Sequence, residues 1–144
     1  MVMQIIRIST DNEISIHDFP AGNRSEQNRI LRELIGPRCE TLEHVLPKRL
    51  YTELMVPSSV VKEKGGFVSM LVDGDGMAHE LERNRVGSWL YETDKHGWPI
   101  LGNILFVGEK LADGGVDFCG ISPKRFDVLY QQLKELIEIE KERL

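Results

Sequence analysis

Turn-forming residues cut this chain into short apolar pieces, and that punctuation restricts the folds open to it more than any other feature. Thr10-Asp11-Asn12, Pro20-Ala21-Gly22, Gly36-Pro37, Asp73-Gly74-Asp75-Gly76 and residues 112–115 each interrupt an apolar pattern. Residues 3–8 and 13–19 alternate on either side of the first turn, which predicts an N-terminal β-hairpin. Residues 67–72 and 77–81 predict a second hairpin, because Asp-Gly pairs supply the positive φ that tight turns require. Residues 39–46 read as a strand closed by Pro47, residues 100–107 as the most apolar strand and sheet centre, and 116–120 as a last short strand.

Three segments carry helical spacing instead. After Asn23, a candidate N-cap with Glu26 three residues on (or Ser25, one turn later), Ile30, Leu31, Leu34 and Ile35 form a stripe that Gly36-Pro37 stops. Asn84 reads as the N-cap of a short amphipathic helix holding Val86, Trp89 and Leu90. Ser122-Pro123 opens a closing helix with serine as N-cap and proline at the first helical position. Phe126, Leu129, Tyr130, Leu133, Leu136 and Ile137 line it. Residues 50–61 show no clean period, 62–66 read as an exposed glycine-rich loop, and 94–99 as a loop. Hairpins dominate. The expected fold is therefore α+β, a mainly antiparallel sheet with two to three helices packed on it, in a single domain over 1–144.

At 144 residues, with 41% hydrophobic and 28% charged, the chain has the composition of a folded globular domain and is too short for two cores. No apolar run approaches the roughly 20 residues of a membrane span, and no leader pattern opens the sequence, so the expected location is the cytoplasm. Cys39 and Cys119 belong to no paired motif and sit in apolar stretches, which predicts two buried, reduced thiols. The net charge of −5 argues against a large nucleic-acid footprint. Arg24, Arg29, Arg32, Arg38, Lys48 and Arg49 outnumber Glu26, Glu33, Glu40 and Glu43, but read as a solvated mixed-charge surface.

The search for chemistry excludes more than it finds. Counted from Asp73, the fifth, sixth and twelfth positions of a calcium loop fall on Met77, Ala78 and Asn84, and none fits. His17, His44, His79 and His96 lack the i, i+4 spacing of a helical metal pair, so neither metal nor cofactor is assigned. There is no nucleophile elbow, phosphate-binding loop or dinucleotide fingerprint. The segment from Glu80 to Arg85 stands out. It lies where an expected strand gives way to a helix, and Arg83 and Arg85 could hold a phosphate or carboxylate there. The competing reading is that Asn84 only caps the helix while the arginines pair with Glu80 and Glu82.

The stretches "MLVDGDGMAHELERNRVGSWLY", "PILGNILFVGE" and "ISPKRFDVLYQQL" resemble domain-of-unknown-function family 3846, found in phages, conjugative elements and bacteria. Asp73, Gly76, Leu81, Asn84, Arg85, Leu90, Tyr91, Gly102, Asn103 and Ser122 carry the resemblance, while the first hairpin and helix agree in outline. It implies a small accessory protein of mobile elements and identifies no activity. Such a setting suggests interference with a host defence system.

The reading that results is a non-enzymatic binding protein. It would capture a small anionic molecule, such as a signalling nucleotide, or a host protein. Asn84, Arg85, Asn103 and Arg125 are the candidate ligand-binding residues: the asparagines to orient polar groups, the arginines to balance negative charge. The alternatives are a small hydrolase or transferase acting on a nucleotide-like substrate, and a DNA-associated regulator. Ile139 and Leu144 extend the apolar stripe of the closing helix, which predicts a homo-oligomer through residues 133–144.

Overall fold

The computed structural model describes residues 3–54, 64–112 and 115–142. Strands β1 (Gln4–Ile8) and β2 (Ile14–Asp18) form the expected hairpin, with Ile6 opposite Ile16. Asn12 takes a left-handed φ of 61° in its turn, where Asn is better tolerated than most residues. Helix α1 (Arg24–Ile35) follows, capped by Asn23, whose Oδ1 accepts the Glu26 N–H at 2.9 Å. Then come β3 (Leu42–Val45), α2 (Lys48–Thr52), β4 (Val68–Asp73), α3 (Arg85–Leu90) and α4 (Thr93–His96). The chain closes with β5 (Ile104–Ala112), β6 (Gly115–Cys119) and α5 (Pro123–Glu142).

All strand pairs are antiparallel, in the order β2-β1-β5-β4-β3. β5 is the centre. Its edge opposite β4 holds β1 along residues 104–106 and β6 along 108–112. Alternation then sends successive residues to opposite faces. Ile6, Ile8, Met70, Val72, Ile104 and Phe106 pack under α3 and α5, while Ile5, Leu71, Leu105 and Val107 pack under α1. The sheet is covered on both faces, which is why the central strands are apolar throughout.

Several expectations change. Residues 67–72 and 77–81 do not form a hairpin: β4 lies between β3 and β5, and the chain after Asp73 runs through successive turns. The cause is the Asp73 side chain. It accepts the Asp75 N–H at 2.8 Å and pairs with His79 Nδ1 at 2.8 Å, curling the segment that alternation would have extended. Residues 39–46 shorten to β3. Residues 100–107 become β5 only from Ile104, because Gly102 at φ 85° breaks the extended run. Residues 94–99 contain most of α4, and among the described residues five helices pack on the sheet rather than two to three.

In the expected exposed loop 62–66, residues 62 and 63 lie outside the described residues, while Gly65 and Gly66 are buried. A Cβ on Gly65 or Gly108 would collide with the carbonyl of Gly120, so three chain segments cross there at a separation only glycine permits. Residues 113–114 of the expected turn at 112–115 also lie outside the described residues, as does Leu144. Ser122 stands at the start of α5, but its buried hydroxyl has no partner among the described residues. The first turn is closed instead by the Ser122 carbonyl, which accepts from Arg125 and Phe126 N–H.

Both cysteines are free thiols, and the burial expectation holds for Cys119 alone. Cys39 is half-buried, because its strand begins three residues later than expected. Burial, reinforced by the Asp73 carboxylate, pushes its thiol up to about 11. No helix among the described residues is long and apolar enough to cross a membrane.

Candidate functional site

The four residues singled out in sequence do not converge. Asn84 is fully buried and entirely committed to the backbone. Its Oδ1 accepts the Gly87 N–H at 2.9 Å, and its Nδ2 donates to the carbonyls of Ile8 and Gly102, each at 3.1 Å. Asn103 does similar work. Its Oδ1 accepts the Thr10 N–H at 3.2 Å and its Nδ2 donates to the Ile35 carbonyl at 2.8 Å, joining α1 to the first hairpin. Both asparagines are engaged with the backbone rather than turned together toward a common pocket. Arg125 lies in the first turn of α5, its buried Nε without a partner among the described residues. Fifteen residues separate it from Glu140, about 22 Å along the helix axis. Only Arg85 faces an open cleft.

Asn84 nevertheless builds that cleft. Its backbone is extended, at φ −92° and ψ 111°, just before α3 begins. Successive side chains in an extended segment point to opposite sides. With Asn84 drawn inward, Arg83 and Arg85 are both exposed and line the same cleft, of about 670 Å³. The competing reading holds in its first half only. Asn84 is the cap, but neither arginine pairs with Glu80 or Glu82, and neither has an ion pair or side-chain hydrogen bond among the described residues.

Trp89, four residues along α3 from Arg85, forms the aromatic part of the wall. Arg49 of α2 lies over its ring, 5.1 Å from the centroid, and donates to its carbonyl at 3.1 Å. Unlike Arg83 and Arg85, Arg49 is buried and already neutralised. Its guanidinium meets both Asp94 oxygens, at 2.7 and 2.9 Å, and Glu92 at 3.8 Å. Asp94 raises the pKa of this arginine, and Arg49 in turn holds the Asp94 carboxyl below its usual range. Glu92 also pairs with Lys95 at 2.9 Å and Lys48 at 3.2 Å. These partners accompany a left-handed backbone, at φ 63°, unusual for glutamate.

The lining as a whole carries three arginines (Arg49, Arg83, Arg85) and three carboxylates (Glu53, Asp94, Glu140). It is therefore dipolar rather than uniformly basic, with the uncompensated cations concentrated at residues 83 and 85. Beyond Trp89 and Glu140 the wall continues into an apolar notch of about 150 Å³ that includes Leu54, Leu136 and Ile139.

Arg83 and Arg85 were legible as a pair flanking a cap, although Arg83 did not enter the final candidate set. Trp89 read only as an apolar helix position. Arg49 read as part of a solvated mixed-charge surface but is buried, because its partners lie 40 and more residues away. Among the described residues no three His, Cys, Asp or Glu side chains gather as a metal site would require. No family model, curated protein or solved structure matches the chain.

Proposed function

We propose that the protein is a binding protein that captures a small, nucleotide-like anion in the cleft beside α3, without chemical change to it. One observation carries the reading: Arg83 and Arg85 are exposed, have no side-chain partner among the described residues and lie on one wall with Trp89. Two unpaired guanidinium forks suit phosphate or carboxylate oxygens, which accept two parallel N–H bonds from each. An aromatic wall with an apolar notch beside it suits a planar base, and nearby carboxylates suit its amino groups. The size of the cleft falls in the range of small-molecule sites. A dipolar lining favours a compact ligand with an anionic and a donor end over an extended polyanion such as DNA. Stoichiometric capture also fits the accessory, host-directed role that the resemblance to family 3846 implies.

Titration with a mononucleotide, a nucleoside triphosphate and a cyclic dinucleotide, followed by tryptophan fluorescence, tests this. At least one should bind. Arg83→Ala and Arg85→Ala should each weaken it by about tenfold or more while leaving the melting temperature in place. The recovered nucleotide should be intact by mass spectrometry. No binding, or binding unaffected in the double variant, overturns the proposal, and an altered nucleotide replaces it with an enzyme.

A further inference from the structure

A second depression, of opposite character, lies where residues 72–78 and 98–101 meet β3. Leu101, which an isolated bridge joins to Arg83, lines this groove of about 410 Å³ together with Glu43, Val45, Asp75, Met77 and Trp98. Three of its lining residues are carboxylates, Glu43, Asp73 and Asp75, and none is Lys, Arg or His. Asp73 is buried and paired with His79, so Glu43 and Asp75 set the charge that a partner meets.

Two further observations meet here. Met77 and Trp98, at 70% and 66% exposure, are the most exposed large hydrophobic side chains among the described residues, and both belong to this groove. Methionine and tryptophan are enriched where protein surfaces bind one another, and scattered exposure does not place the two largest exposures in one depression. β3, which supplies Glu43 and Val45, is an edge strand. It pairs with β4 on one side, and among the described residues no hydrogen bond reaches its other side. Such an edge presents a row of N–H and C=O groups ready to extend the sheet.

We propose that this groove is a docking site for a protein partner that adds an extended segment along β3, with basic and apolar side chains alternating into the groove. Backbone pairing to Leu42–Val45 supplies affinity for any extended chain, and the pockets select the side chains. Every second residue of the added strand faces the groove, so a lysine or arginine reaches Glu43 or Asp75 while an apolar neighbour two residues on packs against Trp98 and Met77. A second copy of this chain is a poor occupant, because joining two β3 edges brings two acid-lined grooves together. The site is separate from the arginine cleft and takes ligands of the opposite charge.

Two fluorescein-labelled eight-residue peptides, Lys-Thr-Val-Thr-Lys-Thr-Val-Thr (the Lys-Val peptide) and Glu-Thr-Val-Thr-Glu-Thr-Val-Thr (the Glu-Val peptide), carry the charged and apolar residues two positions apart on one face, and their titration against the full chain by anisotropy provides the test. The Lys-Val peptide should bind, the Glu-Val peptide at least about tenfold more weakly. Trp98→Ala should weaken the first by about tenfold. The double variant Glu43→Lys, Asp75→Lys should reverse the preference. Amide exchange over residues 42–45 should slow on binding, and Arg83→Ala with Arg85→Ala should change nothing. Should the charge-reversed variant fail to fold, Trp98→Ala and the salt dependence of the native chain decide instead. No binding, equal affinity for the two peptides, undiminished binding by Trp98→Ala, or unchanged exchange at 42–45 overturns the proposal.

Discussion

Asn84 and its neighbours Arg83 and Arg85 sit side by side in sequence yet do opposite work. The asparagine makes three side-chain hydrogen bonds at zero exposure, and two of them satisfy carbonyls on different strands or loops. Its replacement by alanine removes an N-cap and takes one donor from each of two buried carbonyls. Asn84→Ala should therefore destabilise the fold by about 2–4 kcal/mol. Arg83→Ala and Arg85→Ala remove exposed, unpaired groups and should stay within about 0.5 kcal/mol of the native chain. Denaturant melts of the three variants check this. If Asn84→Ala is as stable as the native chain, Asn84 is not the tie that positions the cleft. The motif was visible in the sequence as Asn84 between two arginines. The direction each side chain takes was not, because it depends on Ile8 and Gly102, 76 and 18 residues away.

At the level of elements, α2, α3 and α4 are short and depend on one another through ions. Arg49 from α2 reaches the Trp89 carbonyl of α3 and Asp94 of α4, and Glu92 between the last two gathers Lys48, Arg49 and Lys95. Hydrogen bonding from Lys95 and Lys48 lowers the Glu92 pKa, and Arg49 does the same for Asp94. Carboxyls depressed in the folded state contribute stability that is complete above their ordinary values near 4 and is lost as pH falls through the folded values. The melting temperature should thus be level from neutral pH to about 5 and fall below about 4, and Asp94→Asn should remove part of that fall. An identical acid limb in Asp94→Asn would show that the network adds nothing. In the sequence, residues 94–99 read as a loop. Four-residue α4 has too few positions to show a period, and tertiary ion pairs hold it.

For the molecule as a whole, α5 closes one face of the sheet with Leu129, Leu133, Leu136 and Ile137, all buried on the protein's own core. The homodimer expected from this helix must then be built on what is left exposed among the described residues, chiefly Val128 and Ile139 at 50% and 48%. These two share a helix face but are separated by Gln132 and Glu135, which lie along the same line. On the dimer reading, light scattering at micromolar concentration returns twice 16.5 kDa, and a mass of 16.5 kDa discards it. Of the two depressions, the dipolar cleft beside α3 reaches α5 at Glu140 and, through its notch, at Ile139, while the acidic groove lies at the β3 edge.

What the sequence determined by itself was everything carried by local periodicity and local capping. The β1–β2 hairpin, α1 with its Asn23 cap and Gly36 stop, the Asn84 cap of α3 and the apolar stripe of α5 all depend on residues within a few positions of one another. The predominance of antiparallel pairing followed from the same short punctuation. The tertiary structure decided the partners. Residues 77–81 alternate as a strand would, but β4 finds β3 and β5 instead, because an Asp73–His79 pair curls the segment and places Met77 in solvent. Likewise, Asn103 and Asn84 read as free polar groups until distant carbonyls and amides claim them. Arg49 is drawn into the site by Asp94, 45 residues away. Hydrogen bonds and ion pairs between segments far apart in the chain leave no period in the sequence, and here they determine which polar side chains remain open to a ligand.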